Sequence, residues 1–199
     1  IHACLYSSCP RIRNLSDEEC MHEIEKQIPF IRGVTVSGGE CTLHRDFLVA
    51  LSRRVRAHGL GFLLDSNGNY DFSADGELLN AVDGVMLDVK AWDAENHLRL
   101  TGADNALVKR NLDFLATAGK LEEVLTVVAP DWMNPEETVE AVSRRLVSLG
   151  ATNTRYKIIR YRPMGVRSEY RDQSVPAKEC LNALAERANA LGIANTVLI

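Results

Sequence analysis

The sequence predicts an α/β fold built on a parallel sheet. Short apolar segments rich in valine, leucine and isoleucine alternate with amphipathic helical segments along most of the chain, and the connections between them are short. Strands and helices that alternate in this way form right-handed βαβ units, which assemble into a parallel sheet. We count five to six strands, fewer than the eight of a closed barrel. The expected architecture is therefore a partial, TIM-like (β/α)6 barrel.

Composition narrows the class of protein. The 199 residues are 46% apolar and 25% charged, as in an ordinary globular domain, and the formal net charge is −4. A negative net charge gives no electrostatic footprint for nucleic acid, and no apolar run approaches the ~20 residues of a membrane span. Five scattered cysteines argue against a disulfide framework and favour a reducing compartment. We expect a cytoplasmic protein with neither nucleic acid nor a membrane as partner.

Helix and strand signals divide the first half of the chain. Ser16 and Glu19 form a capping box at the start of a helix that Pro29 ends. The β-branched Val34 and Val36 are typical of a buried strand. The expected elements are, in order, a helix at 16–27, a strand at 33–37, a helix at 44–58, a strand at 61–65, a short helix at 74–81 and a strand at 83–89.

The second half of the chain repeats the alternation. Thr101-Gly102 breaks one short helix, and Gly119 ends a longer one. Asn134 followed by Pro135 is the favoured pair of cap and first-turn residue for a helix. The expected elements are helices at 93–100 and 105–118, a strand at 124–128, a helix at 135–149, a strand at 156–159 and a helix at 176–191. A short apolar tail at 196–199 is expected to form a strand or a strap on the core.

Polar residues follow three of the expected strands at the point where each strand ends. The first strand leads into Ser37-Gly38-Gly39-Glu40, the second into Asp65-Ser66-Asn67-Gly68, and the third into Asp88-Val89-Lys90. The carboxyl ends of parallel strands meet at one edge of a sheet, so these side chains are expected to converge there. The sequence therefore predicts a ligand site at this edge.

These residue types favour a small polar ligand but leave its nature open. The adjacent Gly38 and Gly39 allow a ligand to approach the backbone closely, and Glu40 is an acceptor for an amine. Asp65 and Asp88 are oxygen ligands suited to a cation. Lys90 is either a salt-bridged lysine at the rim or the Schiff-base lysine of a barrel aldolase. A further alternative is a non-catalytic module whose ligand-binding face docks a partner.

The cysteines near the start of the chain have two interpretations. Cys4 and the pair Cys9-Pro10 suggest an iron–sulfur site, because Cys-Pro often closes a cluster-binding run. A cluster takes four thiolates, so two cysteines do not hold one. Ordinary loop cysteines are the alternative.

Four motifs, in one order and spacing, resemble the glycyl-radical enzyme activases. These are radical S-adenosylmethionine (SAM) enzymes related to pyruvate formate-lyase activating enzyme. The motifs are Val34 to Glu40 (VTVSGGE), Leu64 to Gly68 (LDSNG), Met86 to Lys90 (MLDVK) and Leu100 to Gly102 (LTG). The segments 30–33 and 90–92 resemble the YjjW-type subgroup most. The resemblance covers essentially the whole chain and implies a barrel of the radical SAM type at 15–199.

The resemblance also implies a role for each strand-end residue. Gly38, Gly39 and Glu40 would receive the amino group of SAM, and Lys90 would pair with its carboxylate. A monovalent cation would lie beside that carboxylate. The implied SAM-binding set is Ser37, Gly38, Gly39, Glu40, Asp65, Ser66, Asn67, Asp88, Lys90 and Arg162, and the implied cation ligands are Asp65, Ser66, Met86 (through its carbonyl) and Asp88.

The implied reaction belongs largely to the cofactors. In such enzymes an electron from a [4Fe-4S] cluster cleaves SAM, and the resulting radical abstracts hydrogen from a glycine of a partner enzyme. The resemblance therefore implies an anaerobic oxidoreductase whose protein substrate is a glycyl-radical enzyme. Its electron donor would be flavodoxin or ferredoxin.

The sequence departs from the family pattern in its cysteines and at three single positions. The family binds its cluster with a Cys-x3-Cys-x2-Cys loop, and this sequence has no such triplet. Cys4 instead matches the last cysteine of a ferredoxin-like insert, so residues 1–14 are expected to be the remnant of that insert. The first barrel strand and the cluster loop are expected to be missing, and the chain alone to be inactive. The single positions are Cys41, Arg162 and Leu125, where relatives have proline, histidine and arginine.

Overall fold

The computed structural model describes residues 13–164, 166 and 171–199. Its strands are β1 (Gly33–Val36), β2 (Gly61–Ser66), β3 (Gly84–Asp88), β4 (Leu121–Val128), β5 (Arg155–Arg160) and β6 (Thr196–Leu198). Its helices are α1 (Asp17–Glu25), α2 (Arg45–Ala57), α3 (Gly76–Ala81), α4 (Ala94–Thr101), α5 (Ala106–Thr117), α6 (Pro135–Ser148) and α7 (Lys178–Ala190). Single 3-10 turns occupy Ile28–Phe30, Cys41–His44 and Phe72–Ala74. The predicted insert remnant, with Cys4, falls outside the described residues apart from positions 13 and 14.

The strands form one parallel sheet in the order β1-β2-β3-β4-β5-β6. Strands that follow one another in chain order, each connected through a helix, are arranged as in the wall of a (β/α) barrel. Among the described residues the sheet is open, with β1 and β6 at its two ends. The predicted partial TIM-like barrel is therefore confirmed. That a further strand precedes β1 stays a prediction.

The two faces of the sheet have different surroundings. In β2 the side chains of Phe62, Leu64 and Ser66 are buried, and the residues between them are half-buried. Phe62 and Leu64 pack with apolar residues of the helices into one core. We term the opposite side the inner face. Because register partners in a parallel sheet point the same way, the inner face carries Leu63, Asp65, Met86, Asp88, Glu123, Leu125, Val127, Lys157 and Ile159.

Strand β4 begins at Leu121, three positions earlier than the sequence predicts. The early part was missed because Glu122 and Glu123 are charged, and Glu123 is nonetheless fully buried on the inner face. Its carboxylate accepts hydrogen bonds from Nζ of Lys157 (2.5 Å) and from Nη1 of Arg155 (3.2 Å) on β5. A buried charge is tolerated when it is paired in this way.

The helix ends largely follow the predicted caps. At α1 the Ser16 side chain accepts from the backbone of Glu19 while the Glu19 side chain accepts from Ser16, so the capping box is confirmed. Asn134 caps α6 as predicted, and Gly102 ends α4 with φ = 78°. Helix α7 starts at Lys178, two residues later than expected. Within the described ranges no helix combines the length and the apolar character that a membrane crossing needs.

Ion pairs tie α2 to the helices on either side of it. Arg54 pairs with Asp17 and Glu18 of α1, and Arg53 pairs with Glu77 of α3 over 2.7 Å. Exposed pairs of this kind each contribute little to the free energy of unfolding. They orient α2, whose first turn directly follows the loop after β1.

The close approach of β1 and β2 generates a prediction about stability. Gly33 is paired with Gly61, and a Cβ added at Gly33 would lie 2.8 Å from the Gly61 carbonyl oxygen. The obstructing atom belongs to the backbone of a paired strand, so relief requires the strands to move apart. We expect Gly33→Ala to lower the free energy of unfolding by about 1–3 kcal/mol, measured by urea denaturation.

A matched control lies at the start of α3. A Cβ added at Gly76 meets nothing within 4 Å. Alanine is a better helix former than glycine, so Gly76→Ala is expected to be neutral or to stabilise by up to about 1 kcal/mol. Equal unfolding midpoints for Gly33→Ala and the unchanged protein would show that β1 and β2 are not held as closely as described.

Candidate functional site

The polar residues that follow β1, β2 and β3 lie at one edge of the sheet, as predicted. We term residues 37–40, 65–68 and 88–90 the ligand edge. The register pairs Val36 with Leu64 and Asp65 with Met86, so the three strands end at nearly the same level. Ser37, the first residue after β1, donates its hydroxyl hydrogen to Oδ2 of Asp65 over 2.9 Å. The ends of β1 and β2 are thereby joined directly.

The carboxylate of Glu40 links the loop after β1 to the loop after β2. Its Oε1 accepts from the hydroxyls of Thr42 (2.7 Å) and Ser66 (2.9 Å), and its Oε2 accepts from the backbone N–H of Asn67 (2.8 Å). Hydrogen bonds to an ionised acceptor are stronger than neutral ones, so the carboxylate is held in one position. Oε1 also accepts from the Thr42 N–H over 3.3 Å, whereas Oε2 keeps a second lone pair for a further donor.

The backbone between Ser37 and Glu40 is open on its outer side. Gly38 has φ = 153°, in the range that side-chain-bearing residues rarely adopt. A Cβ added at either Gly38 or Gly39 would meet nothing within 4 Å. The two glycines therefore leave free space directly above the backbone, beside the Glu40 carboxylate, in which a ligand can lie.

Asp88 and Lys90 form an ion pair at the end of β3. Nζ of Lys90 lies 2.7 Å from Oδ2 of Asp88, and the two side chains are 33% and 20% exposed. Burial raises the pKa of the Asp88 carboxyl, with Lys90 acting in the opposite direction and the negative charges of Asp65 and Glu40 raising it further. Three carboxylates and one ammonium thus share the ligand edge. Such a region suits a cationic or zwitterionic ligand.

A largely apolar cavity of about 370 Å³ opens next to Lys90. Its volume is in the range typical of small-molecule sites. The guanidinium of Arg99 lies 5.4 Å from the centre of the Trp132 ring in its wall. The lining residues include Lys90, Leu100, Thr101, Val127, Trp132 and Tyr161.

Cys41 is buried beneath the ligand edge, where it fills space as a small apolar residue would. Its side chain is 5% exposed, and its Sγ–H donates to the backbone carbonyl of Asp65 over 3.4 Å. Burial, together with the nearby charge of Glu40, raises the pKa of the Cys41 thiol to about 11. The thiol therefore remains protonated at neutral pH.

The described residues do not fit an iron–sulfur cluster. Cluster ligation needs several thiolates, whereas Cys20, Cys41 and Cys180 are free thiols whose pKa values are all raised by burial. No group of three or more His, Cys, Asp or Glu side chains in the described ranges is placed to hold a metal ion. Cys4, the predicted cluster ligand, lies outside those ranges.

Two further predictions are not decided by the geometry. The proposed cation ligands Asp65, Ser66, Met86 and Asp88 occupy neighbouring positions on β2 and β3, but only two of them are carboxylates. Arg162 is exposed, two residues beyond the end of β5. Both the cation site and the contact of Arg162 with a ligand stay predictions.

The sequence interpretation missed three buried polar residues that support the ligand edge. Thr42 holds Glu40, while Asn105 and Asn111 hold the loops that follow β3 and β2. Asn111 lies within the apolar stripe of α5, next to Leu112, where an asparagine is unfavourable unless its amide is bonded. An asparagine within an apolar stripe is therefore the feature of the sequence from which a structural role of Asn111 could be predicted.

Comparison with a family model and with known proteins indicates the family of the chain. Residues 2–146 match the radical SAM superfamily. A Haemophilus influenzae protein named as a glycyl-radical enzyme activating enzyme is 32% identical over 193 residues, a match that covers 86% of this chain and 73% of that protein. The pyruvate formate-lyase 1-activating enzyme of Escherichia coli K12 is 28% identical over 160 residues, covering 77% of this chain and 64% of that enzyme.

The fold is shared with a solved structure. It is a domain of pyruvate-formate lyase-activating enzyme from Bacteroides vulgatus, with a TM-score of 0.72 and 19% identity. The match covers 84% of this chain and 98% of that domain. At this level of identity the likeness concerns the fold alone.

The raised pKa of Cys41 predicts slow alkylation. At pH 8 a thiol with a pKa of about 11 has about a hundredfold less thiolate than an ordinary cysteine, and burial slows the reaction further. We expect iodoacetamide to leave Cys41 unmodified in the folded protein and to modify it in urea, as read by peptide mass spectrometry. Rapid labelling of Cys41 without unfolding would contradict the buried, protonated thiol.

Proposed function

The chain belongs to the radical SAM superfamily, and from that membership we propose that its ligand edge binds the methionine part of SAM in an oxidoreductase that activates a glycyl-radical enzyme. The observation that carries the proposal is the position of Glu40, fixed by Thr42, Ser66 and Asn67 beside the open Gly38-Gly39 backbone. The relatives named as activating enzymes support it.

The amino group of SAM would lie against Gly38, Gly39 and Glu40. An ammonium group has three donors. The Glu40 carboxylate supplies a charged acceptor, and the space beside Gly38 and Gly39 is open, since an added Cβ would meet nothing within 4 Å. Asn67 and Ser66 contribute by orienting Glu40, while Ser37 contributes by orienting Asp65.

The carboxylate of SAM would pair with Lys90. The ammonium of Lys90 is held by Asp88 over 2.7 Å and remains one-third exposed, so it has a free side for a second anion. A monovalent cation among Asp65, Ser66, Met86 and Asp88 would relieve the repulsion between Asp65 and Asp88 that contributes to the raised pKa of Asp88. Arg162 is proposed as a further contact with the carboxylate or ribose.

The rest of the ligand would extend into the cavity that begins at Lys90. The cavity walls are mostly apolar and include two aromatic side chains, Trp132 and Tyr161. A largely apolar cavity excludes water from whatever it binds. A ligand whose carboxylate meets Lys90 therefore places its remaining part in a drier environment.

The iron–sulfur cluster of the family has no fitting ligands among the described residues, so no step of the reaction is derived through it. When bound in such enzymes, SAM supplies a carbon–sulfur bond that is cleaved reductively. We propose that this chain by itself binds SAM without cleaving it, because the sequence contains no Cys-x3-Cys-x2-Cys triplet. Residues 1–14, with Cys4, are proposed to be the remnant of a ferredoxin-like insert.

The partners follow from the same proposal. The protein substrate is a glycyl-radical enzyme, in line with the names of the relatives. The electron donor is a flavodoxin or ferredoxin, and the compartment is the cytoplasm. A Schiff-base aldolase is disfavoured, because the chain matches the radical SAM superfamily and Nζ of Lys90 is already paired with Oδ2 of Asp88 over 2.7 Å.

The role of Lys90 predicts a loss of SAM affinity on substitution. Lys90→Met removes the ammonium and keeps most of the side-chain volume. A hydrogen bond between charged groups contributes about 1.5–3 kcal/mol, so the Kd for SAM is expected to rise by about tenfold or more. Isothermal titration calorimetry measures the change, and Lys178→Met at the start of α7, away from the ligand edge, is the matched control. Equal Kd values for the two variants would show that Lys90 does not contact SAM.

The absence of the cysteine triplet predicts a second result. After anaerobic incubation with iron and sulfide, this chain is expected to form no 5′-deoxyadenosine from SAM in the presence of dithionite, because its sequence has no Cys-x3-Cys-x2-Cys triplet for the cluster. Liquid chromatography of the quenched reaction measures the product. Formation of 5′-deoxyadenosine above a protein-free control would overturn the proposal that the chain alone is inactive.

A further inference from the structure

Asn111 of α5 uses its whole amide group to hold the loop that follows β2. Its side chain is 1% exposed. Nδ2 donates to the carbonyl oxygens of Gly68 (2.8 Å) and Tyr70 (2.7 Å), and Oδ1 accepts from the N–H of Phe72 (3.3 Å). Each of these partners is a backbone group, so the amide fixes the path of the loop and not a single side chain.

Asn105, which immediately precedes α5, holds the loop that follows β3 in the same way. Its side chain is 4% exposed, and its Nδ2 donates to the carbonyl oxygens of Ala91 (3.2 Å) and Trp92 (2.8 Å). The buried His97 also contacts the Ala91 carbonyl through Nδ1 over 3.3 Å. A carbonyl oxygen only accepts, so the proton of this bond is on Nδ1.

These two loops belong to two neighbouring parts of the ligand edge. Ser66, the last residue of β2, and the N–H of Asn67, the first residue of the loop after it, orient the Glu40 carboxylate. The loop after β3 contributes Lys90, which directly precedes Ala91. Asn67, which orients the group that receives the amine, directly precedes Gly68, whose carbonyl Asn111 holds. Lys90, which receives the carboxylate, directly precedes Ala91, whose carbonyl Asn105 holds.

Helix α5 supports both loops along one side. Val108 is buried beneath Gly68, where an added Cβ would lie 3.3 Å from its methyl groups. The ammonium of Lys109 lies 4.8 Å from the centre of the Trp92 ring. Asn111 follows Asn105 by six positions along α5, a rise of about 9 Å. The spacing between the two loops is thus set by a rigid element.

We propose that Asn105 and Asn111 are positioning residues, and that α5 sets the separation between the group that receives an amine and the group that receives a carboxylate. The inference rests on the proposed SAM site for the identity of the ligand. The positioning itself is a property of the protein without ligand. If the proposal is right, substitution of one asparagine loosens only the loop that this asparagine holds. If the asparagines were merely structural, each substitution would lower the stability of the whole protein.

Hydrogen exchange of the ligand-free protein tests the positioning directly. The reporters are the Gly68 N–H, bonded to the Ser66 hydroxyl over 3.1 Å, and the Trp92 N–H, bonded to the Thr138 hydroxyl over 3.2 Å. Neither reporter is bonded to an asparagine. We expect Asn111→Ala to speed exchange at Gly68 by about tenfold and to leave Trp92 unchanged, and Asn105→Ala to do the reverse.

The controls separate positioning from stability. Leu115→Ala removes a fully buried side chain of the same helix, so it is expected to speed exchange at both reporters together. Asn111→Ser and Asn105→Ser keep a small polar group and serve if an alanine variant does not fold. Equal acceleration of both reporters by either asparagine variant would overturn the inference.

A binding measurement then connects the positioning to the ligand. SAM and decarboxylated SAM share the amino group and differ in the carboxylate. We expect Asn105→Ala to reduce the preference for SAM over decarboxylated SAM by about fivefold, whereas Asn111→Ala and Leu115→Ala leave the preference unchanged. An unchanged preference in Asn105→Ala would overturn the assigned role. Failure of the unaltered chain to bind SAM would overturn the proposed function, while the exchange result would still decide the positioning.

Discussion

Parallel pairing brings the carboxyl end of every strand to the same edge of the sheet, and the remainder of the site depends on this constraint. Ser37 and Asp65 are 28 residues apart in the chain and nonetheless share a hydrogen bond. After each strand the chain turns back into a helix, and these helices cover the face of the sheet opposite the inner face. The loops after β1, β2 and β3 therefore place their polar groups together, without any long-range motif in the sequence to specify the contact.

Most of the fold was accessible from the sequence because its signals are local. The capping box at Ser16 and the Asn134-Pro135 pair placed helix starts to within a residue. The start of β4 was missed because a charged residue, Glu123, is buried there through partners on a neighbouring strand. A bond of that kind joins positions more than thirty residues apart, and no local pattern of residue types shows it.

The residues of the site also fall into two groups, those that the sequence predicts and those that it does not. The strand-end carboxylates and Lys90 were predictable, because topology alone forces them to one edge. The residues that hold them were not, since Asn105 and Asn111 bond to backbone groups of loops distant in the chain, and Thr42 holds Glu40 through its hydroxyl. These two groups of residues have opposite effects on the free energy of folding. The burial that raises the pKa of Asp88 opposes folding at neutral pH, whereas the hydrogen bonds of the buried Asn105 and Asn111 amides favour it.

The surplus of negative charge at the ligand edge has a consequence for kinetics. Within the ligand edge, the carboxylates of Glu40, Asp65 and Asp88 are accompanied by the ammonium of Lys90. A partly buried recess of one sign of charge projects its potential over about 8–10 Å at physiological ionic strength. Such a field raises the rate at which a ligand with excess positive charge arrives, more than it changes the rate of departure. The recess selects by charge before any hydrogen bond forms, and added salt weakens that selection.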